Sequence, residues 1–342
     1  MKAACKSTNR FVASTLYDEL RSLSPGLTTK EVLEQSSCLA FDKGWIHSFN
    51  DEIHCRRKSP IRMRGAVPGQ VLLNAVRSYD AREIEIQVQA NRLVLNDGHV
   101  RQSIAYHPEV ALAYGKAESP KSWKSLPEGF AKGLTEVLKC CGKDESQYTS
   151  TCVHFHPEFI EACDNHQGAR YAIRLGLDSD FIVRGASLKQ ALKLRPTKFC
   201  LTANWLHFAD DIGAVFSCRR DLHDYEPLDE LLDAKGVAFS WPPEIARIAK
   251  EALHLAKLRL FSNEVTVTLD NGTLSVSVDT EGHEFSTSLP TEYTGPNRVF
   301  TMGPLLLTQM TGSRRSNWIL GENRMLWKQG PLSYVVATGV PE

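Results

Sequence analysis

The sequence predicts an α+β fold made of one pattern that occurs six times: a short strand, a helix, and two or three further strands. Three observations predict it. Aliphatic residues recur at i, i+3 and i+4 in six segments, which indicates amphipathic helices. Apolar and polar residues alternate in the segments that follow, which indicates strands with one buried face. Turn sequences such as Asp42-Lys43-Gly44 and Asp270-Asn271-Gly272 separate these strands and favour antiparallel hairpins.

Each of the six helices is expected to cover one face of a sheet, because an uncovered sheet would leave its apolar face in water. The first helix has Val12, Leu16 and Leu20 at helical spacing, and the fifth has Ile248 and Ala252. In chain order, the predicted helical segments are 12–23, 68–79, 128–143, 186–198, 242–259 and 303–315.

The strands are predicted from alternation and from β-branched or aromatic content. Two of them, 265–269 and 274–278, alternate valine with threonine or serine around an Asn-Gly turn. In chain order, the predicted strands are 38–41, 45–49, 66–68, 83–88, 92–95, 151–155, 159–163, 181–183, 199–202, 205–208, 237–239, 265–269, 274–278, 299–302, 317–320, 325–327 and 334–337.

The six units pair naturally into three domains, which we place at residues 1–118, 119–225 and 226–342. Clusters of proline and charged residues at 107–127 and 221–235 are the expected linkers. Six loose copies of such a common pattern also arise by chance in an ordinary α+β protein, and from the repeat alone this alternative stays open.

The composition is that of a globular protein: 342 residues, 42% apolar, 23% charged and 8% aromatic. These values exclude a disordered chain, a collagen-like chain and a disulfide scaffold. No apolar run approaches the ~20 residues that span a bilayer, and no apolar core follows the basic start of the chain, so we expect a cytoplasmic protein. The nine cysteines indicate reduced thiols rather than a disulfide framework.

Short motifs in several units resemble the bacterial sliding clamp family, the β subunit of DNA polymerase III. The motifs that carry the resemblance, in chain order, are Phe49-Asn50-Asp51-Glu52-Ile53, Ala66-Val67-Pro68, Asp144-Glu145-Ser146, Ala162-Cys163-Asp164 with His166, Phe261-Ser262-Asn263-Glu264, Tyr293-Thr294-Gly295 and Tyr334-Val335-Val336. The resemblance implies the DNA clamp fold, with three similar domains, helices lining a ring and antiparallel sheets outside. It also implies a non-catalytic bacterial or phage processivity factor without cofactor or metal, whose partners are duplex DNA, a DNA polymerase and a clamp loader.

The resemblance further implies a head-to-tail homodimer that closes into a ring. Closure of this kind requires one surface to meet a different surface of the next copy. By carry-over from the family, Ile104 of one copy is expected to face Leu260 and Phe261 of the next. Gln102 stands where the family tends to place an aromatic residue, so the contact is expected to be weaker or rearranged.

A ring around DNA also predicts that the helices are more basic than the rest of the chain. The whole chain is neutral, with 40 Lys and Arg against 40 Asp and Glu, yet the six helical segments sum to +9. Such a surface attracts phosphates without reading sequence. Any exposed helix also collects lysine and arginine, so a solvated surface remains the alternative for each residue. The predicted DNA-binding residues are Arg77, Lys132, Lys139, Lys143, Lys189, Lys193, Arg195, Lys198, Arg247, Lys250, Lys257, Arg314 and Arg315.

Clamps of this family hold short peptides from their partners in an apolar pocket between the second and third domains. By carry-over, the matching residues are Ser150, Cys163, Asn165, His166, Arg170, Tyr171, His223, Val335 and Ala337. Several of these depart from the family pattern, and Gln167-Gly168-Ala169 appears as an insertion. The departures predict a shallower, more polar pocket that binds a different peptide or none. The alternative is that these are strand and loop residues without a ligand.

The sequence also leaves two metal-dependent, enzymatic functions open as alternatives. Cys152, His154, His156, Cys163 and His166 offer zinc-type ligands within fifteen residues, but without the paired spacing of closed zinc sites. The carboxylates of Asp178, Asp180, Asp210 and Asp211 are compatible with a metal-dependent nuclease, although aspartate is also common in turns. A further alternative is a clamp-fold protein that serves as an interaction scaffold.

Overall fold

The structure is a computed structural model, and it describes residues 9–233, 235–256, 264–280, 283–312 and 317–341. Seven α-helices lie within these ranges. They are α1 (Ala13–Arg21), α2 (Gly69–Arg77), α3 (Phe130–Val137), α4 (Gly185–Lys193), α5 (Asp229–Leu232), α6 (Ile245–Ala256) and α7 (Pro304–Gly312).

The described residues form 24 strands, in the order strand, helix, three strands, six times over. The first twelve are β1 (Asn9–Val12), β2 (Cys38–Asp42), β3 (Trp45–Phe49), β4 (Ile53–Lys58), β5 (Gly65–Pro68), β6 (Glu83–Gln89), β7 (Arg92–Asn96), β8 (Arg101–Ala105), β9 (Lys124–Ser125), β10 (Cys152–Phe155), β11 (Phe159–Cys163) and β12 (Gln167–Ala172). The others are β13 (Phe181–Arg184), β14 (Lys198–Leu201), β15 (Trp205–Ala209), β16 (Val215–Arg219), β17 (Val237–Phe239), β18 (Val265–Asp270), β19 (Thr273–Thr280), β20 (His283–Pro290), β21 (Arg298–Met302), β22 (Trp318–Leu320), β23 (Arg324–Gln329) and β24 (Leu332–Ala337).

The chain divides into two compact parts. The first compact part contains Met1–Ala131 and Phe181–Leu222, and the second contains Lys132–Asp180 and His223–Glu342. In the first part, one sheet has the strand order β1-β6-β7-β8 and the other the order β5-β2-β3-β4-β16-β15-β14-β9. In the second part, one sheet contains β10-β11-β12-β24-β23-β22-β17 in that order and the other has the order β20-β19-β18-β21. All the pairs between these neighbouring strands whose register is resolved are antiparallel.

Paired units exchange their first strands. β1 precedes α1 but pairs with β6 of the second unit, while β5 pairs back with β2 of the first. In the second part, β17 pairs with β22 and β21 pairs with β18 in the same way. Each of these two pairs of units therefore exchanges strands between its two sheets.

The helices cover the sheets through their apolar faces, as the spacing predicts. Leu16 and Leu20 of α1 are almost fully buried, as are Leu72 and Val76 of α2. In the second compact part, Ile248 and Ala252 of α6 are buried in the same way. Because most helical stability comes from packing an apolar face, these contacts explain why such short helices form.

The hairpin turns occur where the sequence places turn residues. Lys43 and Gly44 have φ values of +48° and +79°, and Asn271 and Gly272 have φ values of +42° and +76°. Two consecutive positive φ values are the signature of the turns that connect two-residue hairpins. Nothing lies within 4 Å of a β-carbon added at Gly44, so φ alone favours glycine there.

The predicted α+β class and the sixfold repeat are confirmed, with three corrections. Five final strands of the units, β4, β8, β12, β16 and β20, are absent from the predicted strands. The first four predicted helices are too long at one or both ends, and most of all the third, which is predicted over 128–143 and observed over Phe130–Val137. The short helix α5 lies in the predicted linker 221–235.

The compact parts do not follow the three predicted domains, because the long sheets join strands from neighbouring predicted domains. β4 pairs with β16 and β12 pairs with β24. The division at 118 and 225 therefore stays a prediction. All eight cysteines among the described residues are free thiols, and no helix there is long and apolar enough to cross a membrane.

Candidate nucleic-acid and peptide interfaces

Exposed basic side chains lie on the helices of the first compact part. Lys189 and Lys193 lie one turn apart on α4, and Lys193 Nζ donates to Gln190 Oε1 at 2.7 Å. Arg77 is exposed at the last residue of α2, where a cation also interacts favourably with the helix dipole. Among the described residues, no carboxylate pairs with Arg77, Lys189 or Lys193, so their charges are available to an anion.

The helices of the second compact part carry fewer uncompensated charges. Lys250 of α6 and Lys132 of α3 are exposed, and neither forms an ion pair with a described carboxylate. Arg247 instead pairs with Glu251 at 2.6 Å, and Lys139 pairs with Glu136 at 2.7 Å. In both pairs the partners are three or four residues apart in sequence. The pairs therefore reduce the net positive charge that α6 and the end of α3 present.

Part of the predicted charge lies beside the helices instead of on them. Lys143 follows α3 in a loop, Arg195 follows α4 with a φ of +53°, and Lys198 is the first residue of β14. Within the helices α1, α2, α3, α4, α6 and α7, seven Lys and Arg oppose four Asp and Glu, a net charge of +3. Of the remaining +6 of the predicted +9, a net +2 lies on described residues beside these helices, and +4 lies on Lys257, Arg259, Arg314 and Arg315, outside the described residues.

Several predicted residues lie outside the part of the chain that the structure describes. For the nucleic-acid surface these are Lys257, Arg314 and Arg315, and for the ring interface they are Leu260 and Phe261. Ile104 is described: it lies in the edge strand β8 and is 4% exposed. The neighbouring Gln102 donates from Nε2 to Ser78 Oγ at 2.7 Å, which directs its side chain to the end of α2.

Register shows which predicted pocket residues share a face of the sheet in the second compact part. Cys163 pairs with Gly168, and Gly168 pairs with Val335, so Cys163 and Val335 lie on the same face. Arg170 and Ala337 lie two residues from Gly168 and Val335 along their strands, and alternation places them on that face as well. Tyr171 lies on the opposite face, 7% exposed, close to Gly133 of α3. Tyr171 is therefore not part of the same surface.

Arg170 is the centre of a chain of charged groups on this face. Its Nε donates to Glu161 Oε2 at 2.7 Å, and its terminal nitrogens donate to the two oxygens of Asp229 at 2.9 and 3.0 Å. The Arg170 guanidinium holds the pKa of Asp229 below its usual value. Glu161 is fully buried and also bonds His154 Nδ1 at 2.9 Å. These bonds satisfy a buried carboxylate that would otherwise be costly.

The segment from Tyr225 to Leu232, which we call the strap, crosses this face and supplies residues that the sequence analysis missed. The Tyr225 ring stacks on His154 with centroids 4.8 Å apart, and its hydroxyl accepts from the Cys163 backbone N–H at 3.0 Å. Burial raises the pKa of both Tyr225 and Cys163 above their ordinary values. Leu228 and Leu232 form an apolar cluster with Val335 and Leu326, against which Cys163 and Ile319 pack.

The strap could have been anticipated from one signal in the sequence. Leu228, Leu231 and Leu232 have helical spacing within the predicted linker, although the run is only four residues long as a helix. Leu228 and Leu232 are 1% and 8% exposed. The apolar surface beside Val335 is therefore covered mainly by leucines of the linker.

The remaining predicted pocket residues lie in loops. Ser150 donates to the carbonyl of Gln147 at 2.8 Å within a short 3-10 turn. His223 is exposed, and its ring meets Tyr148 at a centroid distance of 6.1 Å. Asn165 and His166 are exposed at the β11–β12 turn, where the His166 carbonyl accepts from Ala337 N–H at 2.8 Å. In the described contacts, neither Ser150 nor His223 touches the Val335 cluster.

The residues proposed for metal chemistry have other partners. Among the described residues, no group of three or more His, Cys, Asp or Glu could hold a metal ion. Asp210 Oδ1 accepts from the backbone N–H groups of Ile212 and Ala214 at 3.0 and 2.8 Å, which makes it a turn residue. Asp180 lies 3.4 Å from His154 Nε2.

Comparison with known proteins connects this fold to a group of solved structures. No protein-family model matches the chain, and no curated protein does either. The ligand-bound DNA polymerase sliding clamp of Pseudomonas aeruginosa matches with a TM-score of 0.81 at 14% identity, over 97% of this chain and 99% of that chain. The β chain of DNA polymerase III from Streptococcus pneumoniae matches with a TM-score of 0.83 at 14% identity, with the same coverage.

A third solved structure extends the comparison to a more distant source. The β subunit of DNA polymerase III from Thermotoga maritima matches with a TM-score of 0.81 at 12% identity, over 97% of this chain and 99% of that chain. The chain therefore has the sliding-clamp fold along almost its whole length. This result confirms the predicted fold and the resemblance that the sequence motifs carry.

Proposed function

We propose that the protein is a DNA sliding clamp of a bacterial or phage replication system. It acts in the cytoplasm as a head-to-tail ring that encircles duplex DNA and tethers a DNA polymerase. The observation that carries this proposal is the sliding-clamp fold over 97% of the chain. Such a protein holds DNA by topology, so it needs neither a base-reading motif nor a catalytic site.

The open edges of the sheets support assembly into a ring. β8 ends one sheet of the first compact part, and β20 ends one sheet of the second. Edge strands present unpaired backbone groups that another copy can pair with. Ile104 lies in β8, the edge strand that we propose contacts the next copy. The mass in solution, measured by light scattering, is expected to be twice 38.2 kDa, and a monomer at micromolar concentration would contradict this assembly.

The exposed basic residues support sequence-independent binding of duplex DNA. Arg77, Lys132, Lys189, Lys193 and Lys250 are exposed on helices and form no ion pair with a described carboxylate. We propose that they contact phosphates together with the flanking Lys143, Arg195 and Lys198. Contacts of this kind weaken with salt and permit sliding along the duplex.

The proposed partners bind through a short peptide at the surface that the strap covers. Cys163, Arg170, Val335 and Ala337 share this face, and Leu228 and Leu232 add apolar area to it. Because the leucines are already buried against Val335, the remaining surface is shallow. We propose that the polymerase and the clamp loader use a peptide different from the usual bacterial motif.

The hydrogen bonds that Asp210 and Asp211 accept favour a non-catalytic role over the nuclease alternative. Asp210 is occupied by backbone N–H groups, and Asp211 accepts from Thr197 Oγ1 at 2.8 Å. Carboxylates used in this way stabilise turns instead of holding a metal. A nuclease assay with Mg²⁺ or Mn²⁺ is expected to give no cleavage, and cleavage lost on removing the metal would favour the alternative.

The experiment that tests the proposed function compares two DNA substrates. The protein is allowed to thread onto a linear duplex, half of the sample is then ligated into circles, and both halves are washed at ~0.5 M salt, which screens phosphate contacts. A clamp remains on the circle and leaves the linear duplex. Equal loss from both substrates would contradict the proposed function.

A further inference from the structure

A concentration of basic residues lies on the first compact part, on the sheet face opposite α1. Trp45 pairs with Lys58, and His47 pairs with Arg56, so the side chains of Trp45, Arg56 and Lys58 share one face. Arg57, between Arg56 and Lys58, points the other way. Its guanidinium donates to the carbonyl of Glu19 in α1 at 3.3 Å.

Arg64 joins the same surface from the loop after β4. Asp42 pairs with Trp45 across β2 and β3, and Arg64 Nε donates to Asp42 Oδ1 at 3.2 Å. We call the surface made by Trp45, Arg56, Lys58 and Arg64 the basic platform. Arg62 adjoins it in the loop and is exposed.

The platform has an excess of positive charge that no described acid balances. Four of its residues or neighbours are basic, namely Arg56, Lys58, Arg62 and Arg64, and residues 53–64 contain no Asp or Glu. Asp42 is the acidic residue that the described contacts place here. It is 8% exposed and accepts from both Tyr114 Oη at 2.7 Å and Arg64. Lys58 and Arg62 form no ion pair with a described residue, so their charges face solvent.

The platform also contains an aromatic ring in a fixed position. The Arg56 guanidinium lies 5.2 Å from the centre of the Trp45 ring, a cation–π contact. Trp45 is half-buried, so part of its ring remains accessible. An ordered tryptophan beside several cations is the combination that single-stranded nucleic acids require, because bases stack on the ring while phosphates meet the cations.

We propose that the basic platform binds single-stranded nucleic acid. The basic residues assigned above to duplex DNA lie on or beside the helices, whereas the platform lies on the sheet face away from α1. The inference therefore concerns a second site and goes beyond the proposed function. An acidic peptide would use the charges but would gain little from Trp45, which is why a nucleic acid fits better.

The test measures binding of a fluorescent 20-nucleotide oligothymidine to the full chain by anisotropy between ~0.05 and ~0.2 M salt. Replacing Lys58→Glu together with Arg62→Glu is expected to weaken binding at least tenfold at ~0.1 M salt. Loss of two phosphate contacts is expected to reduce the slope of log affinity against log salt by about 1.4. Trp45→Leu is expected to weaken binding severalfold with an unchanged slope.

The matched control is Lys121→Glu with Lys328→Glu, two exposed lysines elsewhere on the molecule, and it is expected to keep the wild-type affinity. A neutral variant, Lys58→Gln with Arg62→Gln, provides an intermediate loss that does not depend on introducing acids. Thermal unfolding of each variant establishes that it is folded. The proposal is overturned if the platform and control variants bind alike, or if a 20-residue polyglutamate peptide binds as tightly as the oligonucleotide.

Discussion

Arg170 of β12 donates two hydrogen bonds, 2.9 and 3.0 Å long, to the two carboxylate oxygens of Asp229 in α5, which lies 59 residues later in the sequence. The same guanidinium lies 3.9 Å from the centre of the Phe159 ring and donates to the buried Glu161. Arg170 thus connects the strap to the sheet and balances a carboxylate that has no access to water.

Arg170→Met is expected to destabilise the protein by about 3 kcal/mol, because Glu161 would lose its charged partner in a buried position. Asp229→Asn removes only the exposed ion pair with Arg170, and it is expected to lower the free energy of unfolding by less than about 1 kcal/mol. Urea unfolding at pH 7 measures both free energies. Equal losses in the two variants would contradict the role assigned to Glu161.

The histidines beneath residues 107–118 of the first compact part predict loss of stability in mild acid. Burial lowers the pKa of both His47 and His207 to about 4, and burial likewise places the pKa of His54 well below its ordinary value. The unfolded chain, with a histidine pKa of ~6.5, then binds more protons than the folded chain. Stability is therefore complete above pH ~6.5 and falls as the pH decreases towards 4.

Each such histidine contributes a slope of up to about 1.4 kcal/mol per pH unit within this window. His207→Gln retains groups that can bond Ser217 and Thr202, the present partners at 2.7 and 3.0 Å. It is expected to reduce the slope of the unfolding free energy between pH 6 and 4.5 by about that amount. An unchanged slope would mean that His207 is not neutral in the folded state.

The shallow peptide surface predicts weak binding of a consensus bacterial clamp-binding peptide and partial rescue by added apolar area. Ala337 is exposed at the end of β24, on the face of Val335. Ala337→Met is expected to tighten binding about threefold to tenfold, since each buried methylene contributes about 0.8 kcal/mol. Titration calorimetry measures the affinity.

Ala172→Met is the control for that experiment. Ala172 is exposed on the same sheet face, at the far end of β12, and its replacement is expected to leave the affinity unchanged. Tight micromolar binding by the wild-type chain would show that the surface already accepts the usual motif.

The positions of the exposed lysines predict how charge reversal affects retention on circular DNA. Replacing Lys189, Lys193, Lys198 and Lys250 with glutamate is expected to shorten retention about tenfold at ~0.1 M salt, because phosphate contacts become repulsive. The control replaces Lys30, Lys116, Lys121 and Lys328, which are exposed outside the α-helices. The same shortening in both sets would mean that net charge, and not its position on or beside the α-helices, governs retention.

The sequence predicts the fold where local pattern decides the structure. Valine alternation defines β18 and β19, and leucine spacing defines α1. The final strand of most units lacks such a pattern. β12 reads Gln-Gly-Ala-Arg-Tyr-Ala, and it forms because β11 and β24 pair on either side. Neither neighbour is visible from the sequence of the segment itself.

In the candidate site too, local sequence pattern predicts some features and tertiary contacts determine the others. Cys163, Arg170, Val335 and Ala337 lie on one face of the sheet, and their part in binding a peptide stays a prediction. Tyr171 is not, because alternation along β12 turns it to the helix side. The contributions of Leu228 and Asp229 depend on where a linker crosses the sheet, which only tertiary contacts determine.

The central claim, that DNA is held by topology, is tested most directly by blocking the ends of linear DNA. The protein is allowed to thread onto a bead-bound duplex, the free end is then closed with streptavidin or left open, and both samples are washed at ~0.5 M salt. We expect the protein to stay on blocked DNA and to be released when a restriction enzyme removes the block. Equal retention on open and blocked DNA, or loss from both, would contradict the claim.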